Sequence, residues 1–456
     1  MTGTAAAAAD TAIVDWAAAP PLFKRHEGSP VARLPWHGGD LAACGAARHG
    51  LGCLLRDVNG LTRMQWLFAN DLAETDHSRQ AAIPWAIGVR RPVPTAGTRY
   101  DAELYVATSG TGDEPAGIYH YDPAHHALRI VRVGDWRERL MAQVAESAPT
   151  PALVCCVTSV HARTVFKYGK LGYSVSCMDG GALSAQLLLV SGVHGMPATT
   201  FLDFQERAVD EILCLDPRSE NALVIAALGR ASAPASPWSR KSLNRTDFAP
   251  PDTALAKGVT RRRAVRRGFT PEPISAAALV GVLDAARAGA DPSGKASAGS
   301  VFCAVRRVDG VAAGIYRHAS ADRKLQLVAG PAAVTALAEA AVSPMGRAHA
   351  VQAAASVFWI ADAGWATDPD AVAGSSAGRT FRPHWVRSGA AAHLACVAAA
   401  ADGLASRIHC DISLMPVAAE LGLHRQLHEM VPVVTIGLPS ALAERPEHRL
   451  HAGASL

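Results

Sequence analysis

Short apolar runs with strand spacing alternate along the chain with longer runs that have helical spacing. The elements do not follow a regular βαβ rhythm, which favours an α+β layer structure. The late helix in each half, near 179–192 and 387–401, is apolar on nearly all sides, so it belongs at the centre of a domain or an interface. The predicted strands are Glu103–Thr108, Ala152–Val157, Ala222–Ala227, Phe302–Val308, Val357–Ala361 and Val433–Gly437, and the other predicted helices are Trp136–Ser147, Ser275–Ala288 and short helices around Leu51–Leu55 and Met64–Leu72.

One segment of the pattern occurs twice. Residues 117–131 read GIYHYDPAHHALRIV and residues 314–328 read GIYRHASADRKLQLV. Further pairs keep the same order: Thr95-Ala96-Gly97 with Ser297-Ala298-Gly299, and Gly195-Met196 with Gly403-Leu404. A repeat this long predicts two copies of one domain.

The repeat sets the predicted domain organisation. Residues 1–30 form a disordered or extended arm, and residues 31–230 form the first copy, in which GIYHYD is a turn. Residues 231–256 are rich in Pro, Ser and Ala and form a linker, and residues 257–456 form the second copy. The two copies fill the 456-residue chain without a remainder.

Composition narrows the class of protein. A formal net charge of +4 with mixed signs argues against nucleic acid as the main partner. Nine cysteines without CxxC spacing indicate reduced thiols, and the histidines show no metal-ligand spacing. No run reaches the length of a membrane span, so we expect a cytoplasmic protein.

Two kinds of segment could bind an anionic ligand. Residues 261–269 read RRRAVRRGF at a helix entry, and Arg261, Arg262 and Arg263 offer planar donors suited to phosphate, although a solvated basic run is the plain alternative. Thr95-Ala96-Gly97 is a hydroxyl-small-glycine turn where backbone can approach a ligand, although most such triplets are ordinary turns.

Together these segments resemble a known family. RRRAVRRGF followed by TPEPIS is similar to the opening of flavin-dependent nitroreductase-fold enzymes. RRPVPTAGTRYDAELYV followed by GIYHYDPAHHAL resembles the SagB-type branch, which contains azoline dehydrogenases that oxidise thiazolines and oxazolines in peptide natural products. The resemblance covers about residues 85–230 and 258–440, but the first copy lacks an Arg-Arg-Ser opening, and Ala264 replaces the motif's Ser in the second.

The resemblance implies two fused nitroreductase-like domains, each a mixed, mainly antiparallel sheet with helices, forming a pseudodimer. It also implies FMN at the interface, in one complete site. That site would combine Arg261–Arg263 and the Gly403–His409 loop of copy two, including Gly403, Leu404, Ser406 and Arg407, with Thr95, Ala96 and Gly97 of copy one.

Only the first copy contains an adjacent Lys-Tyr pair, Lys167 and Tyr168, where the second has Phe381-Arg382-Pro383-His384. SagB-type azoline dehydrogenases have a similar pair that is assigned to catalysis. Proton removal from the azoline ring requires a base, and an ammonium beside a phenol is expected to lower the phenol pKa. A surface Lys beside a half-buried Tyr is the alternative interpretation.

The resulting prediction is an FMN-dependent azoline dehydrogenase. Its substrate would be an azoline-containing peptide or a carrier-protein-tethered intermediate, and molecular oxygen would be the acceptor because no GxGxxG fingerprint for nicotinamide is present. Two alternatives remain: a flavin oxidoreductase for quinones, nitro compounds or cyclic dipeptides, and an inactive docking scaffold in a biosynthetic complex.

Overall fold

The structure is a computed structural model, and parts of the chain fall outside its description. The predicted linker lies almost wholly outside the described residues, as do residues 1–17 of the predicted arm and Ser297 and Ala298 of the second turn. The described residues are 18–26, 28–34, 50–68, 85–110, 115–145, 148–229, 253–266, 268–291, 299–319, 323–361, 376–422, 431–440 and 447–449.

The first copy is built on an antiparallel sheet, which has seven strands within the described ranges. The strand Leu153–Ser159 is buried on both faces, so its first five residues are all apolar instead of alternating with polar ones. In spatial order the strands are β1 (Val31–Arg33), β6 (Ala127–Val133), β5 (Gly117–Asp122), β4 (Ala102–Thr108), β7 (Leu153–Ser159), β9 (Asn221–Leu228) and β8 (Ala198–Phe201).

The second copy repeats this sheet, with six strands in the described residues. Each of its strands has a counterpart in β6-β5-β4-β7-β9-β8, so the predicted fold of two like domains is confirmed. In spatial order the strands are β12 (Lys324–Ala329), β11 (Gly314–Ala319), β10 (Ser300–Val305), β13 (Ala355–Ile360), β15 (Val433–Gly437) and β14 (Ala405–His409).

Two long helices, α4 (Gly172–Val193) and α10 (Ser376–Ala401), pack against each other between the copies. Both belong to one hydrophobic core that includes side chains from the two halves. None of the described helices combines the length and apolarity needed to cross a membrane. The remaining helices are α1 (Leu51–Asn59), α2 (Arg137–Met141), α3 (Ala162–Tyr168), α5 (Glu206–Ile212), α6 (Thr253–Arg261), α7 (Ala276–Ala290), α8 (Pro331–Glu339) and α9 (Pro344–Gln352).

A third, small sheet joins the two ends of the chain. Its strands are β16 (Glu447–Arg449), β2 (Arg63–Phe68) and β3 (Trp85–Arg90), so a strand from the end of copy two pairs with copy one. The prediction of a helix at Met64–Leu72 is therefore wrong, because long-range pairing outweighs local preference there.

Several predicted boundaries also need correction. GIYHYD is strand β5 instead of a turn, because its backbone pairs with β4 and β6 on either side. The helix predicted at 136–147 is confined to Arg137–Met141, and the predicted Gly403–His409 loop contains strand β14. Helix α10 begins before its predicted start and contains Pro383. A proline inside a helix removes one backbone hydrogen bond, and the packing of α10 against α4 and α7 offsets this loss.

Candidate functional site between the two copies

The predicted turn and the predicted Lys-Tyr pair lie together in the structure. Gly97 has a φ of 55°, and a Cβ placed on it would lie 2.8 Å from both Lys167 Nζ and Tyr168 OH. Only a residue without a side chain fits this left-handed position and this close approach. Two segments 70 residues apart in the chain thus form one wall of a site.

Helix α3 presents the pair, and a buried arginine holds the helix in place. Arg163 Nη1 donates to Glu103 Oε1 at 2.6 Å and to the carbonyl oxygen of Tyr100 at 2.7 Å. Burial alone would raise the pKa of Glu103, but the Arg163 guanidinium lowers it to about 2. The ion pair therefore ties α3 both to strand β4 and to the end of the Thr95–Gly97 turn.

The chain turns sharply after the pair. Helix α3 ends at Gly169, whose φ is 52°, and α4 begins at Gly172 after a short 3₁₀ turn. A Cβ at Gly172 would lie 2.5 Å from Val165 Cα, so the two helices touch backbone to backbone. This contact fixes Lys167 and Tyr168 at the entrance to the central helix.

The electrostatics of the pair differ from the prediction. Burial lowers the pKa of Lys167, and Arg99 and Arg407 lower it further. Burial also raises the pKa of Tyr168 well above its usual value, with Asp179 adding to the effect. The expectation that Lys167 lowers the pKa of Tyr168 is therefore wrong, because burial dominates both groups.

The arginine run of copy two lies beside strand β14. Ala264 forms a parallel bridge with Ser406, and Val265 N donates to the carbonyl oxygen of Ser406 at 2.9 Å. Arg407 Nη1 donates to the carbonyl oxygen of Val265 at 2.9 Å. The segments that contain Arg261–Arg263 and Ser406–Arg407 are thus neighbours, as the resemblance implies.

The three arginines have different surroundings. Arg261 and Arg263 are exposed, whereas Arg262 is buried and its Nε donates to the carbonyl oxygen of Pro92 in copy one at 2.9 Å. Arg262 therefore links the copies directly. Gly403 has a positive φ of 76° and Leu404 is buried, so this end of α10 turns tightly into β14.

Residues of copy two also reach the Lys-Tyr pair. Arg407 acts electrostatically on both Lys167 and Tyr168, and Cys410 acts on Tyr168. The turn, the pair, β14 and the arginine run thus meet where the copies join. Their roles in binding and catalysis stay predictions.

A buried arginine of copy two also contacts copy one. Arg382 is 3% exposed and donates to Glu206 Oε1 at 3.0 Å. It also donates to the carbonyl oxygens of Leu223 at 2.5 Å and Leu202 at 2.6 Å, and its guanidinium lies 4.4 Å from the Phe204 ring centroid. Arg382 therefore links the two copies, as Arg262 does.

Sequence reasoning did not identify Asp101, Asp179 or Arg382. Asp179 lies in the run that the sequence shows only as an apolar helix, yet its carboxylate binds the Thr95–Gly97 turn. A carboxylate inside an otherwise apolar helix was the available signal, because such a group needs a partner when it is buried.

The exposed arginines and the glycine turn of this site are chemically suited to bind FMN. Arg261 and Arg263 are exposed guanidinium groups beside β14, where a phosphate can accept charge-assisted hydrogen bonds. Because Gly97 has no side chain, the Lys-Tyr pair packs directly against the backbone of the turn. A doubly charged phosphate needs such compensating donors at an interface.

Part of the chain is similar to known proteins of one family. Residues 259–438 match the nitroreductase family. The trifolitoxin-processing protein TfxB of Rhizobium leguminosarum is 27% identical over 145 residues, which are 30% of this chain and 38% of that protein. A Methanocaldococcus jannaschii protein assigned as a nitroreductase is 26% identical over 142 residues, 31% of this chain and 70% of that protein.

A solved structure matches nearly the whole chain. It is an Anabaena variabilis protein, also assigned as a nitroreductase, with a TM-score of 0.70, 20% identity, and coverage of 94% of this chain and 95% of that one. The chain spans 38% of the length of TfxB, which is well under half of that protein. Residues 259–438 thus form a nitroreductase-family domain, in a chain whose two halves share the nitroreductase-like fold.

Proposed function

We propose that the chain is an FMN-dependent oxidoreductase that dehydrogenates thiazoline or oxazoline rings in peptide natural-product biosynthesis. The observation that carries this proposal is the packing of Lys167 Nζ and Tyr168 OH against the Gly97 backbone, within electrostatic reach of Arg407 from copy two. In this proposal the base lies beside the turn whose backbone would contact the cofactor.

Arg261 and Arg263 would bind the FMN phosphate, and the backbone of Thr95–Gly97 and of Gly403, Leu404 and Ser406 would line the remaining cofactor. Arg407 supplies a further positive charge beside the pair. When bound, FMN would supply a two-electron acceptor for the ring hydride, and molecular oxygen would reoxidise the cofactor.

Lys167 is the better candidate for the base. Because burial lowers its pKa, a larger fraction of its amine is unprotonated at neutral pH than for an exposed lysine. That amine can take the proton from the azoline ring carbon. Tyr168 keeps its proton, since its pKa is raised, and it can orient the ring by donating a hydrogen bond.

The substrate class rests on the relative and on the site together. TfxB is a trifolitoxin-processing protein by name, and its similarity supports a peptide substrate. Delivery by a precursor peptide or by a carrier-protein-tethered chain would present the same ring to Lys167.

The test is turnover of an azoline-containing peptide by FMN-loaded protein, followed by mass spectrometry for loss of two hydrogens. Lys167→Ala should slow ring oxidation about 10²–10⁴-fold, the usual worth of a general base. Lys167→Arg should be equally slow, because arginine does not lose its proton. Lys170→Ala, which changes an exposed lysine three residues away, is the matched control and should be unaffected.

The wild-type rate should rise with pH as the Lys167 amine deprotonates, and the two Lys167 variants should lose that dependence. A flavin-loaded protein that leaves azolines unchanged but reduces quinones or nitro compounds would favour the general flavin oxidoreductase instead. A protein that binds no flavin under any condition would favour the docking scaffold.

A further inference from the structure

Two buried carboxyl groups, Asp101 and Asp179, lie directly beneath the Thr95–Gly97 turn. Asp101 is 0% exposed and Asp179 is 8% exposed. They come from different elements, the residue before β4 and the second turn of α4, and their side chains are within hydrogen-bonding distance of each other. Neither has a role in the site as predicted from sequence.

Asp179 holds the turn in place. Thr95 Oγ1 donates to Asp179 Oδ2 at 2.5 Å, and Ala96 N donates to Oδ2 at 3.0 Å and to Oδ1 at 3.2 Å. Thr95 Oγ1 in turn accepts from Tyr100 N at 2.9 Å. The carboxyl group of Asp179 therefore anchors both ends of the turn that contacts Lys167 and Tyr168.

One oxygen of Asp101 has no hydrogen-bond partner. Ser159 Oγ donates to Asp101 Oδ2 at 2.7 Å and Ser176 also hydrogen-bonds to this carboxyl group, but the buried Oδ1 has no partner, and a proton shared with Asp179 would satisfy it. Two ionised carboxylates in contact away from water repel strongly, and an unsatisfied buried acceptor is costly. One proton between the two groups removes both penalties.

We propose that Asp101 and Asp179 share one proton at neutral pH and act as positioning residues that fix the Thr95–Gly97 turn against Lys167 and Tyr168. The proton sharing follows from the carboxyl contacts alone, whereas the effect on turnover rests on the proposed function. The arrangement resembles a carboxylic acid paired with a carboxylate, which titrates as a unit.

The surroundings of the pair maintain this charge state. Helix α3 contributes Arg163 and Tyr168, and copy two contributes Cys410, with Arg407 next to Tyr168. Helix α10 faces this part of α4 with backbone at Val386 and Gly389, and its Arg382 acts on Cys177 of α4. Arg163 is already paired with Glu103, so it offsets one negative charge only partly.

The sign of the pH effect follows from the carboxyl pKa values. Burial raises the pKa of Asp101 and of Asp179, and their mutual repulsion raises that of Asp179 further. The folded protein therefore retains a proton that the unfolded chain releases near pH 4. Stability should fall as pH rises from that point toward the raised folded pKa, and Asp179→Asn should remove this fall.

The first experiment needs neither substrate nor flavin. Infrared spectroscopy at neutral pH should show a protonated-carboxyl C=O band in the wild-type protein that is lost in Asp179→Asn and in Asp101→Asn. Asp210→Asn, which changes another buried carboxyl that accepts from Ala222 N, is the matched control and should keep the band. A wild-type spectrum without the band, or a band that survives both variants, would overturn the shared proton.

The second experiment measures positioning in the FMN-loaded enzyme. Asp179→Ala should lower kcat about 10²-fold with little change in KM, because the turn loses its anchor. Asp179→Asn should keep most of the wild-type kcat, since its amide oxygen still accepts hydrogen bonds from Thr95 and Ala96. Its stability should nevertheless lack the wild-type dependence on pH. Equal losses in both variants would contradict the positioning role.

The two proposals fail separately. If the infrared band behaves as expected but the protein does not oxidise azolines, the shared proton is supported and the proposed reaction is wrong. If the protein oxidises azolines but shows no band, the proposed reaction is supported and the shared proton is wrong.

Discussion

At the scale of single residues, the site depends on a position where the chain has no side chain. Gly97 combines a left-handed backbone with a close approach to Lys167 and Tyr168, and either condition alone would favour glycine. The nearby anchors, Thr95 and Asp179, fix the backbone so that the glycine cannot move away.

Gly97→Ala should therefore reduce turnover more than it reduces stability. Its backbone strain costs about 1–2 kcal/mol, and its Cβ also displaces the two side chains 2.8 Å away. Gly310→Ala is the control, because Gly310 has a φ of 71° with no atom within 4 Å of an added Cβ. Thermal unfolding should show similar losses for both variants, while single-turnover oxidation should fall only for Gly97→Ala. Equal turnover would remove this contact from the mechanism.

At the scale of elements, the central helices determine how closely the copies meet. A Cβ at Gly181 of α4 would lie 1.9 Å from the carbonyl oxygen of Val386, and one at Gly389 of α10 would lie 2.0 Å from that of Met178. The helices touch backbone to backbone at both places, so neither can accept a side chain without moving. Because α4 follows Tyr168 and α10 leads into β14, their separation sets the width of the site.

Gly181→Ala should destabilise the protein and weaken flavin retention together. Overpacking of a tight core contact costs about 1–3 kcal/mol, which exceeds the gain in helix propensity of about 1 kcal/mol. Gly192→Ala in the same helix has open space around the added Cβ and should be neutral or stabilising. Denaturant unfolding of the two variants checks the difference, and a stable Gly181→Ala protein would show that the helices can separate without loss.

At the scale of the whole molecule, two similar halves have become different where they meet. Copy one retains the Lys-Tyr pair, and copy two retains the arginine run beside β14. Arg382 of copy two forms hydrogen bonds to copy one through all of its guanidinium nitrogens. The asymmetry predicts a single cofactor position in the chain.

Flavin released on denaturation should therefore equal about one FMN per chain. Arg382→Ala should leave that ratio unchanged and lower stability, since a charge-assisted hydrogen bond contributes about 1.5–3 kcal/mol. Arg207→Ala removes an exposed arginine beside Glu206 and should change neither quantity. A ratio near two, in the wild-type protein or in Arg382→Ala, would contradict the single cofactor position.

The repeat and most of the strands and long helices of both halves were predictable from sequence, and the Thr95–Gly97 and Lys167–Tyr168 segments were identified as candidates. Local patterns determine them, because strand alternation, helical runs and turn residues depend on near neighbours in the chain. The repeated Gly-Ile-Tyr segments predicted two like sheets, and the strand orders confirm them.

The tertiary structure alone decided the rest, because burial and partners depend on residues far apart in the chain. It paired β16 with β2 and joined Arg382 of copy two to Glu206 of copy one. It also reversed the expected pKa shift of Tyr168, since adjacency to a lysine is visible in sequence but loss of solvent is not. Asp101 and Asp179 lie 78 positions apart, and only the fold brings their carboxyl groups together beneath the turn.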